Sequence, residues 1–365
     1  MTERTLGSIL KINMRANGPV RAVFGFCFGL AILLAVMNFF PVNNFDFDNI
    51  QRGVSALTAG GNPWAAETRL QHFYNPPFSV LFLWPLLFAT PKLIIALGGA
   101  LLIALIFHLK SWVAFAWFMT NSFLFVLATG SIDMYVVGAG LLLLLAGDNE
   151  SLRSNVSGLA LRVLAYGMLM VKPQGGLFIV ALYILWRRDW KGLLASLILY
   201  GLFFARLYPD WINVMLHDPP QAQNVAAHSL MKRFGPIAAG LIAIGVILSR
   251  KWKYWQLGGA LAGILSPYGM PGVPIFLVLT AVNKLIAIPL IVIYSACLAL
   301  MTWIYPPPGV DYYAYLNPLM AIYHLSMLGL AVVLACYMPG HGEDEGDAID
   351  IAGRVKSIVG PHKLS

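Results

Sequence analysis

Long apolar segments and short polar segments alternate along most of the chain. The apolar segments are continuous, without the polar–apolar alternation of a half-buried strand, so the pattern predicts helices. A helix of about 20 apolar residues crosses a hydrocarbon core of about 30 Å and pairs its backbone groups internally. We therefore expect membrane-spanning or membrane-inserted helices over 20–40, 76–89, 92–107, 112–129, 132–147, 158–171, 175–186, 190–207, 234–249, 255–269, 272–283, 285–305 and 318–338.

The basic residues between these segments predict the orientation of the chain. Lys and Arg concentrate in cytoplasmic loops, and four of them precede or begin the first span. Two further basic loops, 187–191 and 250–253, are assigned to the same side. The segments that then lie on the outer face are 43–77, 130–133, 172–174, 208–232, 266–268 and 306–315.

The region 76–107 contains two apolar segments where this topology allows a single crossing. Pro91 lies between them, so we expect one of the two to be re-entrant or interfacial. The sequence thus predicts an all-α polytopic membrane protein with about 11–13 transmembrane or re-entrant helices. A basic cytoplasmic segment, 1–19, precedes the membrane domain, 20–338, and a flexible cytoplasmic tail, 339–365, follows it.

The composition agrees with a membrane protein and argues against several functions. Hydrophobic residues make up 59% of the chain, charged residues only 11%, and the mean hydropathy is +0.74. The formal charge of +8 does not indicate a nucleic-acid partner, because the basic residues lie between apolar segments. The three cysteines fall in or beside apolar segments, so we interpret them as reduced residues that contribute to packing. Without a Walker A, GxGxxG, HExxH or CxxC pattern, ATP hydrolysis, dinucleotide redox chemistry and zinc proteolysis lack support.

The polar segment 43–77 concentrates charge in a chain that has little of it. Asp46 and Asp48 can present two carboxylates on one side if the backbone is locally extended, an arrangement that suits a general base for a hydroxyl acceptor. Alternatively, either residue caps a helix from about Asn49 to Ala59 that ends at the following two glycines. The pattern does not decide between these interpretations, and the two are compatible.

Lys172 and Asp133 each stand between apolar segments, where a charge is costly without a partner. Pro173 and two glycines follow Lys172, so the next helix begins here with backbone N–H groups that can bind an anion. Lys172 is then a phosphate contact, or else it extends to the lipid headgroups. Asp133 either contributes to a site or caps the helix that follows it.

Two further groups of polar residues are predicted on the outer face. The first precedes a Pro-Pro pair and either lines a site or completes the start of a helix. The second lies at the outer end of a span, against the positive-inside trend, and indicates an anionic partner. The first group is His72, Tyr74 and Asn75, and the second is His228, Lys232 and Arg233.

Several short motifs follow one another in a familiar order. An Asp-Phe pair in the first outer loop precedes Gly-Gly-Asn-Pro-Trp at 60–64 and Tyr-Asn-Pro-Pro at 74–77. Gly130 then opens a Leu-rich segment, followed by Lys-Pro-Gln at 172–174 and Ser-Pro-Tyr at 266–268. In this order they resemble the GT87 (DUF2029-type) family of polytopic glycosyltransferases, mannosyltransferase-like members of the GT-C superfamily. The resemblance covers roughly residues 20–340.

This resemblance implies a GT-C-like helix bundle in the plasma membrane and a hexosyltransferase that needs neither metal nor cofactor. The donor would be a polyprenyl-phosphate hexose, such as mannose, and the acceptor a lipid or glycan on the outer face. Asp46 would be the base that activates the acceptor, with Asp48 as the second candidate, and the transfer would invert the anomeric carbon. The leaving phosphate would be bound by Lys172, Lys232, Arg233 or His228, and the substrates by Arg52, His72, Tyr74, Asn75, Asp133, Gln174 and Tyr268.

The chain departs from the family pattern at two positions. Ser131 stands where the family usually has Gln, and Asp133 where it usually has Asn, so the contacts made here are expected to differ. An inactive family member is therefore one alternative. A transporter or flippase of an anionic lipid or lipid-linked sugar is another, and it predicts polar residues near the bilayer midplane rather than carboxylates in the first outer loop.

Overall fold

The computed structural model describes most of the first 217 residues and less of the remainder. Within the described ranges the chain is helical, apart from one antiparallel pair of two-residue strands. The predicted helical class is confirmed at this level, whereas the predicted spans 272–283 and 318–338 lie wholly or largely outside these ranges. The described residues are 18–39, 45–70, 73–119, 123, 126–127, 130–217, 230–249, 251–266, 287–303, 307–310, 318–319, 321–322, 325–326 and 349–350.

The helices differ in length, and two of those described are long and apolar enough to cross a membrane: Gly18–Met37 and Pro91–Leu109. A third span results if Trp190–Leu202 and Ala205–His217, which meet at 60°, count as one. In chain order the elements are α1 (Gly18–Met37), α2 (Phe45–Thr58), a 3₁₀ turn (Pro77–Ser79), α3 (Val80–Leu83), a 3₁₀ turn (Trp84–Phe88), α4 (Pro91–Leu109), a 3₁₀ helix (Trp112–Met119), α5 (Asp133–Gly147), α6 (Glu150–Arg153), α7 (Val156–Met170), α8 (Pro173–Arg187), α9 (Trp190–Ser196), a π-helix (Leu197–Leu202), a 3₁₀ turn (Ala205–Leu207), α10 (Tyr208–His217), α11 (Leu230–Phe234), α12 (Pro236–Leu248), β1 (Lys251–Trp252), α13 (Tyr254–Leu265), α14 (Ala287–Trp303) and β2 (Ile349–Asp350).

The chain divides into two compact units, each of which is described by itself. The first unit carries α1 to α7 and the α9–α10 region, and the second carries most of α8 and the elements from α11 onward. The first unit comprises Met1–Phe118, Phe123–Pro173 and Trp190–Pro220, and the second comprises Met119–Ser122, Gln174–Asp189 and Gln221–Ser365.

In the first unit, α1, α4, α5 and α7 form a layer in which small residues allow the backbones to approach closely. A Cβ atom added at Gly29 of α1 would lie 3.2 Å from the Cα of Ala100 in α4. One added at Gly138 of α5 would lie 2.8 Å from the backbone nitrogen of Leu102 in α4. Close packing through small residues is typical of helices in membranes, where apolar area alone gives neighbouring helices little reason to associate.

The same contacts fix the directions of the helices. Gly18 at the start of α1 lies beside His108 near the end of α4, so these two helices are antiparallel. Gly98 lies beside Tyr135, and the Gly138–Leu102 contact follows in the same sense, so α4 and α5 are parallel. The end of α4 and the start of α5 therefore lie at opposite ends of the layer. The predicted span 112–129 between them is only partly described and stays a prediction.

α5 and α7 are antiparallel, because Gly140 lies against Leu169 while Gly147 lies against Gly158. One end of the layer thus contains the beginnings of α4 and α5 and the ends of α1 and α7. We call this the site end, and the opposite end the far end. Residues 130–133 and Lys172, which the topology predicted on one face, both lie at the site end.

α2 follows α1 at the site end and corrects two expectations about Asp46 and Asp48. The helix begins at Phe45, about four residues earlier than predicted, so both carboxylates lie within its first turn. Both residues are therefore helical, so neither the extended arrangement nor the capping role is correct. At the start of a helix their acidic side chains are stabilised by the helix dipole. The predicted stop is confirmed: α2 ends at Thr58, and Gly60 takes a positive φ of 79° as its N–H bonds back to the carbonyl oxygen of Leu57.

The two apolar segments of 76–107 differ in the way the sequence suggested. Pro77–Phe88 consists of one helical turn between two 3₁₀ turns, and at a rise of about 1.5–2 Å per residue it is shorter than a hydrocarbon core of about 30 Å. Pro91–Leu109 is long enough. These lengths favour 77–88 as the re-entrant or interfacial segment, which stays a prediction.

In the second unit, α13 is buried along nearly its whole length. Gly258 of α13 lies against Ile179 of α8, and the ring of Tyr254 packs at 4.8 Å from that of Tyr183. The strand β1 pairs with β2, with Lys251 opposite Asp350 and Trp252 opposite Ile349. Two residues of the segment predicted as a flexible tail therefore have backbone partners, and the rest of that segment lies outside the described residues.

Candidate functional site

Three charged side chains from three different elements come together at the site end. Lys172 lies between α7 and α8, Asp133 is the first residue of α5, and Asp46 belongs to the first turn of α2. The Nζ atom of Lys172 lies 3.0 Å from Oδ1 of Asp133, and Lys172 also interacts electrostatically with Asp46. We call these residues the charged trio. The structure thus assembles three of the residues that the sequence proposed.

An apolar cluster fixes the backbone next to each member of the trio. Phe47, Ile132 and Val171 are each a chain neighbour of a trio residue, and each is at most 2% exposed. All three belong to the same buried cluster, together with Phe78 and Phe82 from the 77–88 segment. Because close-packed side chains leave little freedom, this cluster holds the three charged residues at the surface of one rigid core.

Asp133 has a different local role from the one predicted. The residue before the helix is Ile132, which makes no side-chain cap, and Asp133 itself is the first helical residue of α5. Its backbone nitrogen lies 3.4 Å from the hydroxyl oxygen of Ser131, after Gly130 has turned the chain with a φ of 70°. The capping interpretation is therefore wrong, and the carboxylate is directed to Lys172 while it also benefits from the helix dipole.

Lys172 is largely withdrawn from solvent, with its side chain 17% exposed, and the side chain of Asp133 is 8% exposed. Burial by itself lowers the pKa of the Lys172 ammonium, but the carboxylates of Asp133 and Asp46 raise it on balance above its ordinary value. The side chain therefore keeps its proton. Lys172 forms a buried ion pair rather than extending to the headgroups.

Asn75 holds the turn that carries Lys172. Its side chain is 8% exposed, and its Nδ2 donates to the carbonyl oxygen of Val171 at 3.1 Å. Asn75 lies 96 residues before Val171 in the chain, so this bond joins the Tyr-Asn-Pro-Pro motif to the residue that directly precedes the Lys-Pro-Gln motif. The residue predicted to bind substrate has a structural contact that places Lys172.

The two acidic residues of α2 have different environments. Residues two apart on a helix are separated by about 200° around its axis, so their side chains diverge. Asp46 is partly buried on the trio side, whereas Asp48 is exposed. Arg52, predicted as a substrate contact, is exposed and turns back onto its own helix, where it donates to the carbonyl oxygen of Asp48 and to Oδ1 of Asn49. Of the two carboxylates, Asp46 is the one that belongs to the charged trio.

The Gly-Gly-Asn-Pro-Trp motif has an architectural role that the sequence did not reveal. Asn62 donates from Nδ2 to Oδ2 of Asp210 at 2.6 Å, and its Oδ1 accepts from the backbone of Trp64. The indole of Trp64 stacks on Phe73 at 5.5 Å and donates to its carbonyl oxygen. These contacts attach the polar segment to α10. No local pattern in the sequence identifies a partner 148 residues away.

Tyr74 belongs to the same attachment. Its carbonyl oxygen accepts a hydrogen bond of 3.0 Å from the indole nitrogen of Trp211, and its side chain is partly buried. Trp211 and Tyr74 both pack against a small buried cluster of Trp64, Phe73 and Val214. The backbone of Tyr74 is thus fixed by α10, one residue before Asn75.

The other predicted residues are not part of this assembly. Lys232 and Arg233 are exposed on α11, and Gln174 follows Lys172 by two residues; all three belong to the second unit. Within the described part of the chain, the buried Oε1 of Gln174 has no hydrogen-bond partner. His72, His228 and Tyr268 lie outside the described residues. Their predicted roles in phosphate or substrate binding stay predictions.

The composition of the charged trio indicates which chemistry it could support. The trio combines two carboxyl groups and one ammonium group next to a buried apolar cluster. A carboxylate in such a place can accept a proton from a hydroxyl group. Among the described residues no group of three or more His, Cys, Asp or Glu side chains could hold a metal ion.

Comparisons of the chain with protein-family models, with curated proteins and with solved structures found no match.

Proposed function

We propose that this chain is a membrane glycosyltransferase that moves a hexose, such as mannose, from a polyprenyl-phosphate donor to a hydroxyl group of a lipid or glycan acceptor. The observation that carries the proposal is the charged trio, in which a partly buried carboxylate lies beside a buried ion pair on a rigid apolar core. In a chain with only 11% charged residues, three charges from three distant segments are costly unless they serve a site.

In the proposed reaction Asp46 is the general base. Its carboxylate accepts the proton of the acceptor hydroxyl as the oxygen attacks the anomeric carbon of the donor. The new carbon–oxygen bond forms on one face while the bond to the phosphate oxygen breaks on the other, and the electron pair leaves with polyprenyl phosphate. The anomeric configuration is therefore inverted. A base of this kind contributes roughly 10²–10⁴-fold to the rate.

The ordered sequence motifs give the proposal its substrate class. The Asp-Phe, Gly-Gly-Asn-Pro-Trp, Tyr-Asn-Pro-Pro and Lys-Pro-Gln motifs resemble those of polytopic glycosyltransferases. The bond from Asn75 to the carbonyl oxygen of Val171 joins one of them to the residue directly before another, which supports reading them as parts of one site. Lys172, Lys232, Arg233 and His228 remain the candidates for the leaving phosphate.

We also propose a multi-pass location in the plasma membrane. The two apolar helices long enough to cross, and a third if the bent pair is one span, support membrane association. The basic clusters favour cytoplasmic termini, which puts the site end at the outer surface. The donor, the acceptor and the surrounding lipids are then the partners of the chain.

A transporter or flippase is the second candidate, and one observation favours it. The apolar helix over Trp190–Leu202 contains a π-helix and meets Ala205–His217 at 60°. Broken helices of this kind often line substrate paths in transporters. In that case an anionic lipid or lipid-linked sugar would cross the membrane unchanged, and no carboxylate would be needed as a base.

The test is a comparison of lipids and glycans by mass spectrometry. A strain without the gene should lack one hexosylated species, and the wild-type gene should restore it. Asp46→Asn should leave that species absent while the protein accumulates normally, whereas Asp48→Asn and the exposed control Glu67→Gln should restore it. Full restoration by Asp46→Asn would remove the base assignment, and loss with Asp48→Asn alone would transfer that role to Asp48.

The same strains separate the two candidate functions. A transferase removes a product, so the hexosylated acceptor disappears and the polyprenyl-phosphate hexose accumulates. A flippase moves a lipid without changing it, so total amounts persist and only the distribution between leaflets changes. Unchanged glycan composition together with altered leaflet distribution would favour the transporter.

A further inference from the structure

We propose that Lys172 and Asp133 are positioning residues for Asp46: Asp133 fixes the Lys172 ammonium, and the fixed ammonium orients the Asp46 carboxylate that accepts the proton. This inference rests on the proposed function, since it assigns these residues to the same site. It gives Lys172 a task distinct from binding the leaving phosphate. It also gives Asp133 a task that does not require contact with substrate.

The first step of the argument is that the ammonium is fixed in place. It is 3.0 Å from Oδ1 of Asp133, and both side chains are mostly buried. Oδ1 of Asp133 is itself fully buried and, among the residues that the structure describes, has no hydrogen-bond partner besides this ammonium. A lysine side chain has four rotatable carbon–carbon bonds, and without such a partner its ammonium group would occupy several positions.

The second step is that the backbone on both sides of Lys172 is fixed. Val171 is 1% exposed, its carbonyl oxygen accepts from Asn75, and its nitrogen donates to Gly167. The nitrogen of Lys172 donates to the carbonyl oxygen of Leu169 at 3.3 Å. Pro173 then begins the next helix with its φ angle restricted by the ring. Lys172 is therefore held both at its backbone and at its ammonium group.

The third step is that the fixed ammonium acts on Asp46. Asp46 and Asp133 are the two carboxylates that support the charge of Lys172, and together they raise the pKa of its ammonium above the ordinary value despite burial. Phe47, the chain neighbour of Asp46, belongs to the same buried cluster as Val171 and Ile132, so the attraction of the fixed ammonium acts on a carboxylate whose backbone is also fixed. The other charged groups of α2, Asp48 and Arg52, are exposed, and Arg52 donates to atoms of its own helix.

A purely structural ion pair predicts a different behaviour. If Lys172 served only to neutralise Asp133, an uncharged hydrogen-bonded pair of similar shape would replace it without loss of activity. If Lys172 also serves Asp46, such a pair restores folding but leaves Asp46 without its counter-charge. The double variant Asp133→Asn/Lys172→Gln separates the two.

The first measurement is sugar transfer by the full chain in lipid nanodiscs, with a synthetic polyprenyl-phosphate mannose as donor and an alkyl mannoside as acceptor. Lys172→Gln and the double variant are both expected to lose on the order of 100-fold in kcat with little change in KM. Lys172→Arg should retain more activity than Lys172→Gln. Restored activity in the double variant, at wild-type thermal stability, would overturn the proposal.

The second measurement does not depend on activity. Intact protein is treated with acetic anhydride near neutral pH, and modification of Lys172 is quantified by peptide mass spectrometry. Asp46→Asn should increase its modification, by about tenfold for each pKa unit lost, because only the neutral amine reacts. Asp133→Asn should do the same. Asp48→Asn is the matched control, since its side chain is exposed and two residues from Asp46.

Equal modification of Lys172 in Asp46→Asn and Asp48→Asn would overturn the proposal. If instead Asp46→Asn increases the labelling of Lys172 and Asp48→Asn does not, but wild-type protein transfers no mannose to the acceptor, the electrostatic arrangement stands and the proposed function fails. The two failures are therefore distinguishable.

Discussion

The two ends of the helix layer in the first unit both contain charged residues, but they use them in opposite ways. At the far end Arg162, buried at 5% exposure, donates to the carbonyl oxygens of Gly147 and Arg153. Arg153 donates to the backbone and side chain of Asp148. At the site end the charges of the trio come from three distant segments and pair with one another.

The two ends differ in the groups that their charged side chains contact. The last carbonyl groups of a helix have no partner within the helix, and a guanidinium group supplies up to five donors for them. Arg21 does the same for α4, donating to the carbonyl oxygens of Phe107 and His108. Charges that satisfy neighbouring backbone stabilise a connection. The carboxylates and the ammonium of the trio contact one another instead of neighbouring backbone, and we therefore assign the proposed function to the site end.

The largest expected effect is on stability, from Asp133→Ala. This change leaves the Lys172 ammonium buried without its nearest carboxylate, at a cost of about 3 kcal/mol or more. At the far end, Asp148→Ala should cost under about 1 kcal/mol, because Arg153 is 38% exposed and retains the Asp148 carbonyl oxygen as acceptor. Denaturation in mixed micelles measures both. Equal costs at the two ends would contradict the comparison.

A second prediction concerns Arg162→Met, which keeps the aliphatic volume but removes the donors. Two carbonyl oxygens at the far end then lose a charged donor, so the free energy of unfolding should fall by about 2 kcal/mol. Sugar transfer per folded molecule and the labelling of Lys172 should not change. A loss of activity larger than the loss of folded protein would show that the far end takes part in function.

Sequence reasoning found the members of the trio because charge is conspicuous in apolar surroundings. Asp133 and Lys172 stand alone between apolar segments, and Asp46 belongs to the polar segment 43–77; counting the crossings put all three on one face. What could not be read was how they pair. The ion pair joins residues 39 positions apart, so it depends on the antiparallel packing of α5 and α7, which periodicity does not specify.

The attachments around the trio were missed for the same reason. Asn75 appeared as a polar residue before a Pro-Pro pair and Asn62 as part of the Gly-Gly-Asn-Pro-Trp motif, but their partners are Val171 and Asp210, 96 and 148 residues further on. The start of α2 was also missed, because two aspartates close to the end of an apolar segment suit a cap as well as a first turn. The helix stop at Gly60 was predictable, since it depends only on local backbone preference.

A third prediction uses Asn75 to sharpen the comparison. Asn75→Ala leaves the carbonyl oxygen of Val171 without its buried donor, at a cost of about 1 kcal/mol, which is less than the cost of Arg162→Met. Unlike Arg162→Met, it should also reduce sugar transfer and increase the labelling of Lys172, because the turn is no longer fixed. Unchanged labelling would show that the ion pair alone fixes Lys172.

The smallest expected effect is that of pH on the ion pair itself. The pKa of Lys172 lies above its ordinary value of 10.5 in the folded chain, so the folded state holds this proton more tightly than the unfolded state. Its contribution to stability is complete below that ordinary value and is lost as the pH rises through the folded-state pKa. Between neutral pH and about pH 9, wild type and Asp133→Asn/Lys172→Gln should therefore differ in stability by a constant amount, with divergence only in strongly alkaline solution. A difference that changes near neutral pH would mean that Lys172 releases its proton there, which is incompatible with two carboxylates supporting its charge.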